Sequence, residues 1–224
     1  MSQILCIETT GKTCSVAVEN SNGQIFTVEE AGEQFIHAES LHPFIEEVLR
    51  IASMSPSDLR AIAVSSGPGS YTGLRIGVAA AKGLSFSLGI PLIAIGTLEL
   101  MAATVIRKYP GYETYVPMLD ARRMEVYTQT FRADAVALDD PAPVVLDMDF
   151  FTTKPGASLV YFGDGASKSA DFAGKRDIYL PDIYPLASQM VTLAGNRFSQ
   201  GDFADLAYFE PAYLKEFVPG PKAG

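Results

Sequence analysis

With 224 residues, 48% of them hydrophobic and 19% charged, the chain has the composition of an ordinary globular protein, long enough for one large domain or two small ones. A net charge of −9, with acid in excess in both halves, excludes the broad basic footprint of an autonomous nucleic-acid binder. No stretch approaches the roughly 20 continuous apolar residues of a membrane span. The N-terminus lacks a basic leader, and two cysteines (Cys6, Cys14) are too few for a disulfide framework or a metal site. A reducing cytoplasm is therefore the expected compartment.

Three β-type segments come first, at 4–8 (ILCIE), 15–19 (SVAVE) and 24–30 (QIFTVEE). TTGKTC joins the first pair and NSNG the second, with the Asn-Gly signal of a hairpin. Over 40–53, Leu41, Phe44, Ile45, Val48 and Ile51 recur at helical spacing; Ser40 can cap this helix, and Pro43 is tolerable in its first turn. SPSD (55–58) breaks the pattern. A strand at 61–65 (AIAVS), a helix over 71–88, a strand at 91–95 (PLIAI) and a helix near 97–108 follow. KYPGYE (108–113) marks a boundary. Beyond it, 114–121 and 124–133 read as paired strands, ALDDPAP as a loop, 159–166 as a strand, and 185–201 as a helix closed by Gly201. The expected division is an N-terminal lobe at 1–108 and a smaller, less regular lobe at 109–224.

The stretch SSGPGSYTGLRIG (65–77) has the composition of a phosphate-cradling loop. It fails the P-loop pattern for want of a lysine, and it misses G-x-G-x-x-G by one residue. What remains is a glycine-rich turn into a helix start, with Ser70 or Thr72 as cap and free N–H groups that attract anions. Gly67, Gly69, Ser70, Thr72 and Gly73 are its candidate ligand contacts; a tight connection with no ligand is the alternative. Over 72–88 the only charges are Arg75 and Lys82, so the helix is apolar nearly all round. Gly73, Gly77, Ala80 and Ala81 form a small-residue face. With Leu84, and with Phe44 and Val48 of the preceding helix, that face is either an interface with another chain or buried within this one. In DARRMEVY, Arg122 and Arg123 stand beside Asp120 and Glu125, as an internal ion-pair network or as an anion or partner contact. His37 and His42 are five apart and do not share a helical face, so solvated or capping roles are expected and no metal site.

The element order matches the RNase H-like core of the actin, Hsp70 and hexokinase superfamily. The expected fold class is α/β, with two such lobes of mixed sheets flanked by helices. In that fold the first hairpin grips phosphate through a strand-end acid followed by Gly, Thr or Ser; here the candidates are Glu8, Thr9, Thr10 and Gly11. The runs ILCIETT…CSVAV, SSGPGSYTGLRIGVAAAKGLS, IPLIAIGTLELMA and LDARRMEVY together resemble the TsaB (YeaZ) family, in order over 4–127 and more weakly at YFGDGA and PAYLK.

The resemblance implies a non-catalytic scaffold and activator in the machinery that forms N6-threonylcarbamoyladenosine beside the tRNA anticodon. Its sister TsaD, of the same fold, performs the transfer, and an ATPase, TsaE, joins the pair. It further implies a homodimer when TsaD is absent, and tRNA met only indirectly. No cofactor is required, and ATP or ADP binding in the cleft stays open. Members of the family usually carry Asp where this chain has Glu8. TsaD-like enzymes hold a metal through H-x-E-x-H; laid on TLELM, that motif puts Thr97 and Met101 at the histidine positions, with Glu99 between. Neither side chain supplies an imidazole nitrogen. Met101 is expected in the core and Glu99 at water or a helix end. GPGSYTG is not G-x-S-x-G, so a peptidase is not expected. A nucleotide-dependent enzyme of the same superfamily is the alternative function.

Overall fold

The computed structural model describes residues 3–32, 37–175 and 177–215. The first lobe contains β1 (Ile4–Glu8), β2 (Thr13–Glu19), β3 (Ile25–Ala31), α1 (His37–Ile51), β4 (Ala61–Gly67), α2 (Tyr71–Leu88), β5 (Leu92–Gly96) and α3 (Thr97–Lys108). The second contains β6 (Thr114–Asp120), β7 (Glu125–Thr128), β8 (Phe131–Arg132), β9 (Ala142–Val145), β10 (Leu159–Phe162) and β11 (Asp177–Leu180), followed by α4 (Ala187–Gln200). The first sheet runs β3-β2-β1-β4-β5, antiparallel across β3-β2-β1 and parallel across β1-β4-β5. The second runs β11-β10-β6-β7-β9, with β8 paired to β6. Both lobes are mixed sheets flanked by helices, and the fold is the two-lobed RNase H-like α/β class. Among the described residues no helix is long and apolar enough to cross a membrane.

Every residue of β1 is buried because both faces of its sheet are covered. Leu5 and Ile7 point to one side, with Val16, Ile62 and Val64, beneath Leu41, Val48 and Val78 of α1 and α2. Ile4 and Cys6 point to the other, with Ala17, Ala63 and Ile93, beneath Met190, Val191 and Ala194 of α4. That alternation is the period of two expected of a strand, applied to two apolar layers. Both cysteines are free and buried, and burial raises both thiols, Cys14 to about 11, so neither is a poised nucleophile.

Three element assignments depart from the sequence reading. α1 begins at His37, so Ser40 lies inside the helix instead of capping it and Pro43 falls in its second turn. The continuous strand over 124–133 is β7 and β8 separated by a break. Thr130 turns its N–H and hydroxyl to the Asp139 carboxylate (2.6 and 2.7 Å), leaving the ladder to bond a loop. The Asp/Pro-rich loop also holds a strand, β9, an edge strand on which Pro143 faces Tyr127.

The chain returns to the first lobe after β11. α4 covers the first sheet, and Gly201, at φ +70, closes it with its N–H on the Phe198 carbonyl. Ala204 then bridges Leu92 at the edge of β5. The span 109–224 is thus shared between both lobes, and residues 216–224 lie outside the described ones. α3 is the common wall: Leu100 packs on the first sheet, while Leu98, Met101, Ala102 and Val105 pack on Tyr115, Leu119, Val160 and Phe162 of the second lobe.

Candidate functional site

Glu8 ends β1, and the parallel register Ile7↔Val64 brings Ser65 beside it. Its carboxyl is fully buried. One oxygen accepts the Thr10 N–H (2.6 Å) and the Thr10 hydroxyl (2.5 Å), and the other accepts the Ser65 hydroxyl. Burial pushes its pKa up, against the opposing pull of the Ser65 and Thr10 hydrogen bonds. The acid is therefore held by donors of its own turn and of the neighbouring strand. Thr9 and Thr10 are buried as well.

The glycine stretch is built around that turn. The Thr9 hydroxyl donates to the Gly73 carbonyl (2.8 Å), and Ser70 N–H donates to the Thr10 carbonyl (2.8 Å). A Cβ on Gly69 would stand 2.6 Å from Thr10 Cβ; one on Gly73 would overlap the Thr9 carbonyl oxygen, and one on Gly77 the Thr9 hydroxyl. Gly73 and Gly77, four apart, line the face of α2 that receives the turn, and Gly69 meets it just before the helix. Ser70, rather than Thr72, is the cap, its hydroxyl accepting the Gly73 N–H (3.2 Å), and Thr72 is exposed. Gly67 sits at φ +108 against Ala212 O, and Gly11 lies beside Pro185. The loop's glycines form a socket for ETTG.

This burial corrects the interface assignment at four of its seven positions. Gly73, Gly77, Ala81 and Val48 are buried within the chain. Phe44, Ala80 and Leu84 are partly buried against the same core. The surface of α2 is another stripe: Thr72, Arg75, Ala79, Gly83 and Phe86, the last 81% exposed. His37 is also corrected. It is buried at the start of α1, its Nε2–H donating to the Gly11 carbonyl (2.9 Å), and burial lowers its pKa. His42 is exposed, so the structure sets the two histidines apart.

At the start of α3, Thr97 and Met101 are both fully buried. The Thr97 hydroxyl has no hydrogen-bond partner among the described residues, and Met101 lies in the core shared with the second lobe, against Gly163. Glu99 stands in the first turn of α3, at the helix end expected of it. Its carboxylate pairs with both oxygens on Arg197 of α4 (2.7 and 2.8 Å), and Arg197 also donates to the Ala94 carbonyl. Among the described residues no group of three or more His, Cys, Asp or Glu side chains could hold a metal.

Arg122 and Arg123 turn the β6–β7 hairpin in left-handed backbone, at φ +71 and +49, and both are exposed. The neighbouring acids pair with lysines instead: Asp120 with Lys168 (2.7 Å) and Glu125 with Lys215. Asp164 accepts the Asp120 N–H (2.9 Å), and burial pushes its carboxyl pKa up. The sequence reading missed Ser65, Lys168, Lys215 and Arg197. Only Ser65 carried a signal, as a hydroxyl ending an apolar strand.

The sequence profile of a family described as "TsaD: tRNA N6-adenosine threonylcarbamoyltransferase" matches residues 30–208, most of the chain. The chain belongs to this family. Its curated relatives include the Escherichia coli (strain K12) tRNA threonylcarbamoyladenosine biosynthesis protein TsaB, 28% identical over 98% of this chain and 97% of that protein. The TsaB of Bacillus subtilis (strain 168) is 36% identical over 62% of this chain and 59% of its own length. Among solved structures, "YeaZ from Pseudomonas aeruginosa" superposes with a TM-score of 0.83 at 26% identity, covering 96% of this chain and 100% of that one. Within the family, the chain is similar to TsaB (YeaZ) proteins from end to end.

Proposed function

We propose that the chain serves tRNA threonylcarbamoyladenosine biosynthesis as a non-catalytic partner that holds and activates a TsaD-type transferase. The place in that biosynthesis rests on the family and on the TsaB relatives. One observation carries the non-catalytic part. The strand-end acid Glu8 is buried and held by three hydrogen bonds from Thr10 and Ser65 of its own chain, and the positions aligned with a metal-binding H-x-E-x-H hold the buried Thr97 and Met101. Such a carboxyl is engaged in the protein's own architecture, and neither side chain is a metal ligand of the kind that motif provides.

The partner face is the outer stripe of α2, where Phe86 is 81% exposed beside the small residues Ala79 and Gly83. A large exposed aromatic flanked by small residues admits a second helix at close range. Without the transferase, two copies pair through the same stripe; a TsaE-like ATPase joins the assembled pair, and tRNA is met through TsaD. No cofactor is required of this chain, and peptidase activity has no place in it.

The test is tRNA modification reconstituted from the purified chain and the TsaD and TsaE proteins of the same organism, with each omitted in turn. The chain alone is expected to give no modified adenosine, and TsaD without it little. Modification by the chain without TsaD would overturn the reading.

A further inference from the structure

The segment after α4 touches both lobes in succession. Ala204 N–H donates to the Leu92 carbonyl (2.8 Å), and Lys82 of α2 donates to the Phe209 carbonyl (2.9 Å). Ala204, Leu206 and Phe209 pack on the first core. Farther along, Ala212 N–H donates to the Ser66 carbonyl (2.7 Å), and the Tyr213 ring lies on Tyr71, centroids 4.8 Å apart. Lys215 then crosses to the second lobe, its ammonium on the Glu125 carboxylate and the Ala121 carbonyl of the β6–β7 hairpin.

The two ends of this strap are held differently. Residues 204–209 are tied by a strand bridge and buried apolar side chains. Among the described residues, 211–215 are held by one backbone hydrogen bond, one ring pair with a 41% exposed tyrosine, and the Lys215 ammonium on the Ala121 carbonyl and on Glu125, an ion pair whose side chains are 36% and 24% exposed. Few buried apolar contacts and an accessible ion pair place a segment at the low end of local stability. Within it, one charge pair links the second lobe to contacts made on the first.

We propose that residues 211–215 form a releasable latch that couples the β6–β7 hairpin to the glycine loop. Closed, Lys215 on Glu125 keeps Ala212 on Ser66 and Tyr213 over Tyr71. Open, the Ser66 carbonyl loses the Ala212 N–H and Tyr71 loses the Tyr213 ring together. The coupling does not depend on what the outer face of α2 binds.

Hydrogen exchange on the full chain tests it, using Glu125→Gln, whose change is confined to the second lobe. Exchange at Ala212 and across 66–72, in the first lobe, is expected to rise about 2–5-fold, the range that losing an accessible pair allows. Residues 203–209 and the core strands should exchange as before. Lys215→Met should reproduce the effect, Lys215→Arg should leave exchange as in the unaltered chain, and added salt should mimic Glu125→Gln. Acceleration confined to 121–125, acceleration spread evenly through the core, or no change in either charge-removing variant would overturn the latch.

Discussion

The two long faces of α2 make an instructive pair. Both carry small residues four apart: Gly73, Gly77 and Ala81 on one, Ala79 and Gly83 on the other. The first is buried inside the chain, where a Cβ on Gly73 or Gly77 meets Thr9; the second is open, with nothing within 4 Å of a Cβ on Gly83. Small-residue spacing permits close approach but does not say what approaches. On the inner face it is the protein's own ETTG turn; on the outer face it is solvent in the single chain.

That contrast breaks first at Gly77. Gly77→Leu should destabilise the isolated chain by about 3 kcal/mol or more, at the upper end of overpacking costs, because Thr9 is fixed by its bond to Gly73. A denaturant titration at low protein concentration measures it; a chain that stays stable would return the inner face to the surface.

Phe86→Glu is the matching change outside. Folding stability should move by less than about 0.5 kcal/mol, as for ordinary surface substitutions. Binding to the TsaD partner in a pull-down or by calorimetry should weaken at least about tenfold, the loss of about 1.4 kcal/mol at a central aromatic contact. Undiminished binding would remove the outer stripe as the partner face.

Gly83→Ala should raise monomer stability by roughly 0.5–1 kcal/mol, since the added methyl meets open space and only the helix preference counts. The corresponding Gly73→Ala should lower it, so the pair of melts ought to differ in sign.

The smallest effect concerns pH, through the two titrating groups of the inner socket. His37 is lowered below its ordinary 6.5 by burial, so the stability it contributes is present above 6.5 and is lost as pH falls through the lowered value. Glu8 is raised above 4.5 by burial, so its contribution is whole below 4.5 and is lost as pH rises toward the raised value. Unfolding titrations from pH 4 to 8 should therefore be flatter on the acid side in His37→Gln than in the unaltered chain; equal slopes would mean that His37 does not titrate in the socket.

Much of the fold was legible because periodicity is local. β1, β2 and β4 were plain apolar runs, the α1 face recurred at helical spacing, and Gly201 closed α4 where it was expected. What escaped depends on partners distant in sequence. Nothing in 185–201 says that its apolar face covers the first sheet, and β9 hides among prolines that only an edge strand tolerates. The glycine stretch and ETTG were each visible, but that one is the socket of the other is a matter of contact across more than 60 residues. Glu99 likewise shows no sign of Arg197 in its neighbours.

The central claim is that this fold keeps the strand-end acid for architecture while a partner performs the chemistry. Glu8→Gln tests it most directly, because the amide occupies the space of the buried carboxyl and can still accept from Thr10. The measurement is the rate of tRNA threonylcarbamoylation by TsaD reconstituted with the variant, with folding checked by thermal melting. The account predicts a rate within about twofold of that given by the unaltered chain; a well-folded variant that loses the roughly 10²–10⁴-fold owed to an acid–base group would contradict it.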